Sequence, residues 1–224
     1  MISDNVKRIL NKIEEAAALS GRKPEDITLV GVTKTVTADK AKELMDCGIT
    51  NLGENRVQSL LEKFDVLGST PCWHLIGHLQ TNKVKYIADK VSMIHSVDSI
   101  RLAEEIDKRF GEAKRQAEIL IQVNVSGEES KSGITPEEAF LFAESLSQFK
   151  NIKVQGLMTM APICANSDEL RKIFYGLHKL AVDISAKKYD NINMGHLSMG
   201  MSGDFYEAIL EGATLVRIGS ALFQ

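Results

Sequence analysis

The run Ile27-Thr28-Leu29-Val30-Gly31-Val32-Thr33-Lys34 decides the architecture. Its apolar and β-branched residues follow one another almost without polar interruption and then stop on an amine. A continuous run of this kind reads as a strand buried on both faces, which is the condition of a parallel sheet under helices. In such sheets ligands gather at the carboxyl ends of the strands. Lys34 therefore stands where chemistry is done, and an amine partly withdrawn from water there becomes a nucleophile. A lysine closing a buried run is equally the ordinary polar end of a strand, so the run alone leaves both readings open.

Working outward, the same short apolar signal recurs at Asn51 to Gly53, Cys72 to Ile76, Met93 to Val97, Glu118 to Val125, Lys153 to Thr159, Asn193 to Ser198 and Leu215 to Ile218. Helical periodicity fills the intervals: Ala38 to Cys47, Arg56 to Leu67, Thr81 to Ala88, Ser99 to Ala113, Pro136 to Phe149, Asp168 to Lys188 and Phe205 to Glu211. Eight strands alternating with helices predict an α/β chain folded as a (β/α)8 TIM barrel. An extra N-terminal helix, Ser3 to Ser20, precedes the first strand, and it can cover the gap left where little chain follows the last one. A doubly wound open sheet is the alternative, but no GxGxxG follows the first strand. Punctuation agrees with the division. Thr135-Pro136-Glu137-Glu138 spells a capping box with proline at the first helical position, and Gly48 follows a helix as a C-cap glycine does.

Composition narrows the function classes. The chain has 224 residues, 44% hydrophobic and 25% charged, enough for one barrel domain over residues 1–224. With 27 basic against 30 acidic residues and a net charge of -3, it lacks the basic surplus of a nucleic-acid binder. Cys47, Cys72 and Cys164 are odd in number and widely spaced, so they read as reduced thiols rather than a disulfide frame or zinc site. The N-terminus opens a charged amphipathic helix instead of a signal sequence, and no apolar run is long enough for a membrane span. The expectation is a cytoplasmic protein. No helix face shows an apolar seam that specifies a dimer, so a monomer is expected.

A barrel places Lys34, Glu54, Asn55, Gly77, His78, Ser96, Asp98, Asn124, Met160, Met199, Arg217 and Gly219 at its mouth. The last two units are the most specific. Met199-Gly200-Met201-Ser202-Gly203-Asp204 follows strand seven, and Arg217-Ile218-Gly219-Ser220 closes strand eight. Loops at those positions often hold a phosphate through backbone N–H groups and small side chains, although Ser202, Gly203, Gly219 and Ser220 also suit plain tight turns. His74 and His78 lack the glutamate and helix of a zinc motif, the lysines near Lys83 read as a solvated helix start, and Asp98 reads as a helix N-cap. A lysine on strand one facing a phosphate site on strands seven and eight suits an aldehyde-bearing phosphate held as a Schiff base. Pyridoxal 5'-phosphate fits.

Longer motifs sharpen that reading. Val30-Gly31-Val32-Thr33-Lys34, Gly53-Glu54-Asn55-Arg56-Val57-Gln58, His74-Leu75-Ile76-Gly77-His78-Leu79-Gln80-Thr81-Asn82-Lys83, Ser130-Lys131-Ser132-Gly133, Gly156-Leu157-Met158-Thr159-Met160, Leu197-Ser198-Met199-Gly200-Met201-Ser202 and Val216-Arg217-Ile218-Gly219 resemble, in the same order, segments of the pyridoxal phosphate homeostasis protein family. That family is related to the N-terminal barrel of alanine racemase.

The resemblance implies a covalent Schiff base on Lys34. It also implies Asn55 and Met199 in the pocket wall, Ser202 with the Gly219 and Ser220 backbone on the phosphate, and Arg217 facing the pyridine nitrogen. It implies no catalytic residues and no metal. The role implied is intracellular vitamin B6 homeostasis: the protein carries and buffers pyridoxal 5'-phosphate and passes it to apo forms of enzymes that use it. Relatives often continue in a short basic tail where this chain stops at Gln224, so no role for a tail is carried over. A low-activity pyridoxal-phosphate-dependent amino-acid racemase is the alternative. A sugar-phosphate barrel using Lys34 as an aldolase-type nucleophile is a third reading, and no acid/base pair can be placed for it.

Overall fold

The computed structural model describes residues 1–128, 132–162 and 166–224. Among them, eight parallel strands close into a barrel in sequence order: β1 (Thr28–Val32), β2 (Asn51–Glu54), β3 (Cys72–Leu75), β4 (Met93–Val97), β5 (Ala117–Gln122), β6 (Ile152–Met158), β7 (Ile192–Ser198) and β8 (Leu215–Ile218). The outer layer holds α1 (Ile2–Leu19), α2 (Ala38–Asp46), α3 (Val57–Leu67), α4 (Ile100–Glu112), α5 (Ala139–Leu146), α6 (Ser167–Ser185), α7 (Phe205–Leu210) and the single turn α8 (Ser220–Phe223). The open-sheet alternative is excluded by β1 pairing with β8, which sets Val30 opposite Arg217 and Gly31 opposite Ile218.

Two apolar layers hold this shape. Between sheet and helices lies the main core, with Trp73, Phe110 and Phe174 wholly buried. Inside the barrel a smaller cluster of Val30, Met93, Leu120, Met158 and Leu215 plugs the base. Strand residues alternate between these layers with period two. Val30 faces inward, and in the same phase Lys34 arrives at the interior side of the mouth. The opening helix packs against α2, α7 and α8, so it covers the seam that one turn of α8 cannot.

Several boundaries differ from the sequence expectation, each for a local reason. The fifth strand stops at Gln122 rather than Val125, because the Asn124 side chain accepts hydrogen bonds from Ser126 Oγ and Gly127 N–H and folds the chain into a turn. Thr81–Tyr86 is a 3-10 segment. The Thr135–Glu138 box makes both reciprocal bonds, Glu138 N–H to Thr135 Oγ1 at 3.4 Å and Thr135 N–H to Glu138 Oε2 at 2.8 Å, but regular helix begins only at Ala139. Asp98 is not a cap, since Ser99 accepts from Leu102 N–H and starts α4. Gly48 follows the C-cap Cys47 with φ +90°. Cys47 and Cys72 are free thiols; Cys164, Ser130 and Lys131 lie outside the described residues. No helix among the described residues is long and apolar enough to cross a membrane.

Candidate functional site

The carboxyl ends of the strands enclose a cavity of about 640 Å³. Lys34 and Asn55 stand on one wall, at the ends of β1 and β2. Ser202, Gly203, Gly219 and Ser220, which follow β7 and β8, form the adjoining wall, because β8 pairs with β1, and Arg217 of β8 lines the cavity with them. Of the seven site residues expected, six therefore meet in one space. Met199 does not. Its side chain is fully buried in the core between barrel and helices, because it is out of phase with the inward-facing Ser198. Met160 and Met201 line the cavity instead. Lys34 also departs from the desolvated amine expected of a strand end: its side chain is exposed at the mouth and makes no hydrogen bond with the described residues.

Close backbone approach shapes the Asn55 wall. A Cβ on Gly77 would lie 2.3 Å from the Asn55 carbonyl oxygen, so only glycine lets the end of β3 press against the end of β2. On the adjoining wall after β8, the N–H groups of Gly219 and Ala221 both point at Ser202 Oγ, at 3.3 and 3.4 Å. These are long for N–H···O bonds. Two amide donors thus converge on one oxygen position with slack, which is the donor set a phosphate oxygen requires.

Below the cavity floor runs a buried polar chain that strand-end reasoning missed. Arg217 donates from Nη1 to Ser198 Oγ and from Nη2 to the Thr159 carbonyl at 2.9 Å. His95 Nδ1 lies 2.9 Å from Ser198 Oγ, His95 Nε2 lies 2.9 Å from His74 Nδ1, and His74 Nε2 lies 3.1 Å from Asn51 Oδ1. The two ends fix the direction of the protons. A guanidinium only donates and a carbonyl oxygen only accepts, so Ser198 donates to His95, His95 to His74, and His74 to Asn51. Both imidazoles are neutral in this arrangement, since one more proton would oppose two donors. Burial, first, holds His95 well below the usual imidazole range and lowers His74 to about 4, since a proton on either would also be repelled by neighbouring histidines and, at His95, by the Arg217 guanidinium. Burial also lowers Arg217 to about 10, opposed by the Asp204 carboxylate. The available signal was the alternation itself, which puts His74, His95 and Ser198 on interior positions of their strands.

His74 and His78 are accordingly separated, one in the interior chain and the other at the cavity wall. The lysines at 83 and 85 sit over the ring of Tyr86, at 5.9 and 4.9 Å, on the outer surface.

The family model for the alanine racemase N-terminal domain matches residues 5–224. The pyridoxal phosphate homeostasis protein of Aquifex aeolicus is 43% identical over 98% of this chain and 96% of its own length. The chain belongs to the pyridoxal phosphate homeostasis protein family. Among solved structures, PipY of Synechococcus elongatus with PLP bound is 31% identical, with a TM-score of 0.86 over 100% of both chains. Alanine racemase of Clostridium difficile in complex with cycloserine shares the barrel, with a TM-score of 0.75 at 19% identity over 98% of this chain and 59% of the racemase. That last likeness is one of fold.

Proposed function

We propose that this member of the family binds pyridoxal 5'-phosphate, carries and buffers it inside the cell, and hands it to apoenzymes. Residues 1–224 would act as one cytoplasmic binding domain, working as a monomer and without substantial catalysis. One observation carries the reading. A free lysine amine at the end of β1, a convergent pair of backbone donors after β8 and a buried arginine on β8 meet at one cavity, brought together by the pairing of β1 with β8. Lys34 supplies the nucleophile for a Schiff base, Ser202 with the Gly219 and Ser220 backbone takes the phosphate, Asn55 flanks the ring, and Arg217 meets the pyridine nitrogen. When bound, the ligand supplies an aldehyde carbon to the amine and a ring able to accept electrons. The homeostasis name of the relatives and the PLP-bound PipY support this choice of ligand.

The arginine also argues for carriage over catalysis. A permanent cation beside the pyridine nitrogen disfavours its protonation and so weakens the ring as an electron sink. Among the described residues, no tyrosine lines the cavity to serve as a base. The racemase reading keeps one point in its favour, the shared barrel. Absorbance and mass spectrometry test the proposal: wild-type protein mixed with pyridoxal 5'-phosphate gains an imine band and a borohydride-fixed adduct at Lys34, and Lys34→Ala loses both. A wild-type protein showing neither overturns it. Rapid deuterium uptake at the α-carbon of single amino-acid enantiomers would favour the racemase instead.

A further inference from the structure

We infer that His78 is the proton-transfer residue through which the cavity takes up and releases its aldehyde, an inference that rests on the Lys34 reading above. Schiff base exchange is proton-demanding in both directions. On uptake, the Lys34 nitrogen bonds to the aldehyde carbon, both amine protons leave nitrogen, and the carbonyl oxygen departs as water once it has received two protons. Release runs the same steps backward, with water adding to the carbon and the C–N bond breaking. No oxidant or reductant is needed, only a group that accepts a proton at one stage and returns it at the next.

The cavity offers few such groups. Its ionisable side chains, among the described lining residues, are Lys34, Arg217 and His78. Lys34 is the nucleophile. Arg217 is a donor only, and its guanidinium is already engaged with Ser198 and Thr159. Imidazole is the side chain that exchanges protons around neutrality, and of the five histidines in the sequence His78 is the one facing the cavity. His74 and His95 are closed into the interior chain, and His178 is tied to the Glu211 carbonyl. His78 is exposed and makes no hydrogen bond with the described residues, so both ring nitrogens are free to act.

Its placement is built rather than incidental. Gly77, which tolerates no Cβ against Asn55, brings the end of β3 against the end of β2, and His78 is the next residue. The end of β4 adds Asp98. Its half-buried carboxyl is released from capping by Ser99; burial raises that carboxyl above its ordinary range, and the nearby His78 opposes the shift. The charged groups lining the cavity with His78 or coupled to it are thus Asp98, Lys34 and Arg217.

A proton-transfer catalyst changes rates without moving an equilibrium, and that separates this role from a binding contact. The test follows uptake by absorbance after mixing apoprotein with pyridoxal 5'-phosphate. Release is followed by hydroxylamine capture from loaded protein, both across about pH 5 to 8 where imidazole titrates. His78→Gln and His78→Asn should slow uptake and release by the same factor, about a hundredfold, and leave the dissociation constant unchanged. They should also erase the inflection in the wild-type pH–rate profile, and added imidazole should restore part of the rate. Unaltered rates in both variants, with the borohydride adduct still on Lys34, overturn the His78 role alone. A weakened dissociation constant with the pH inflection retained also overturns it, by making His78 a contact. Wild-type protein without an adduct at Lys34 removes the Lys34 reading and this one together.

Discussion

Lys63 Nζ lies 2.6 Å from Glu54 Oε1, with the two side chains 8% and 0% exposed. This ion pair ties together the strand ends that deliver the site. Lys63 also donates to the Thr33 carbonyl at 2.9 Å, and Thr33 Oγ1 donates to the same Glu54 oxygen at 2.6 Å. Thr33 precedes Lys34 and Glu54 precedes Asn55, so a helix α3 residue fixes the backbone at both. The second carboxylate oxygen, Glu54 Oε2, is buried without a partner among the described residues, which leaves the charge dependent on Lys63.

Removing that one cation should therefore be costly. Lys63→Met leaves a buried carboxylate unpaired, for which about 3–5 kcal/mol is lost. The double variant Glu54→Gln with Lys63→Met should lose much less, since no charge is stranded. Urea unfolding of the three proteins measures both values. A single variant within about 1 kcal/mol of wild type would mean that the pair carries no structural charge balance.

The neutral histidines make acid stability a second test. Both His74 and His95 have folded-state proton affinities pushed below the unfolded value of 6.5 by burial, His74 to about 4. The unfolded chain therefore binds more protons below pH 6.5, and stability rises with pH there. The contribution is complete above pH 6.5 and is lost as pH falls toward 4. Each histidine adds a slope of about 1.4 kcal/mol per pH unit within that window. Unfolding free energies measured from pH 7 down to about 4 should show this decline, and His95→Asn should flatten it. An unchanged slope in that variant would place the proton uptake elsewhere.

Much of this site was legible because strand ends in a parallel barrel are named by the sequence once the strands are counted. Lys34, Asn55, Arg217 and Gly219 follow from that rule, Ser202 and Ser220 from the loops after strands seven and eight, and all six reach the cavity. Met199 failed because a residue at a strand end belongs to the mouth only if its phase faces inward, and Ser198 already takes the inward position. The His74–His95–Ser198–Arg217 chain stayed hidden for a different reason. Its members lie within the strands, one layer below the ends, and their pairing depends on lateral register between strands that local sequence does not encode. Lys63 was equally hidden, because a lysine on an amphipathic helix reads as solvated until a buried carboxylate is known to face it.

The proposed phosphate contact at Ser202 predicts a selective loss. Ser202→Ala removes the hydroxyl that now accepts from the Gly219 and Ala221 amides and that would face a phosphate oxygen. A hydrogen bond to a charged group contributes about 1.5–3 kcal/mol, so the dissociation constant for pyridoxal 5'-phosphate should rise about tenfold or more. Pyridoxal, which has the aldehyde without the phosphate, should bind wild type and variant alike. Fluorescence titration with both ligands decides it. Equal losses for the two ligands would move Ser202 away from the phosphate.

Gly77→Ala tests whether the cavity depends on backbone contact between β2 and β3. The added methyl would lie 2.3 Å from the Asn55 carbonyl oxygen and 2.7 Å from its Cα, and neither atom belongs to a flexible side chain. Relief requires the two strand ends to part, at a cost of about 1–3 kcal/mol for overpacking. Because Asn55 and His78 flank this contact, the separation should widen the cavity and weaken ligand binding along with stability. The expected result is a lower unfolding midpoint together with a raised dissociation constant for pyridoxal 5'-phosphate. Lys63→Met offers the comparison, since it disturbs the same two strands from the helix side. A Gly77→Ala protein that melts and binds as wild type would show that the strand ends part freely, and the close approach would then have no part in shaping the wall.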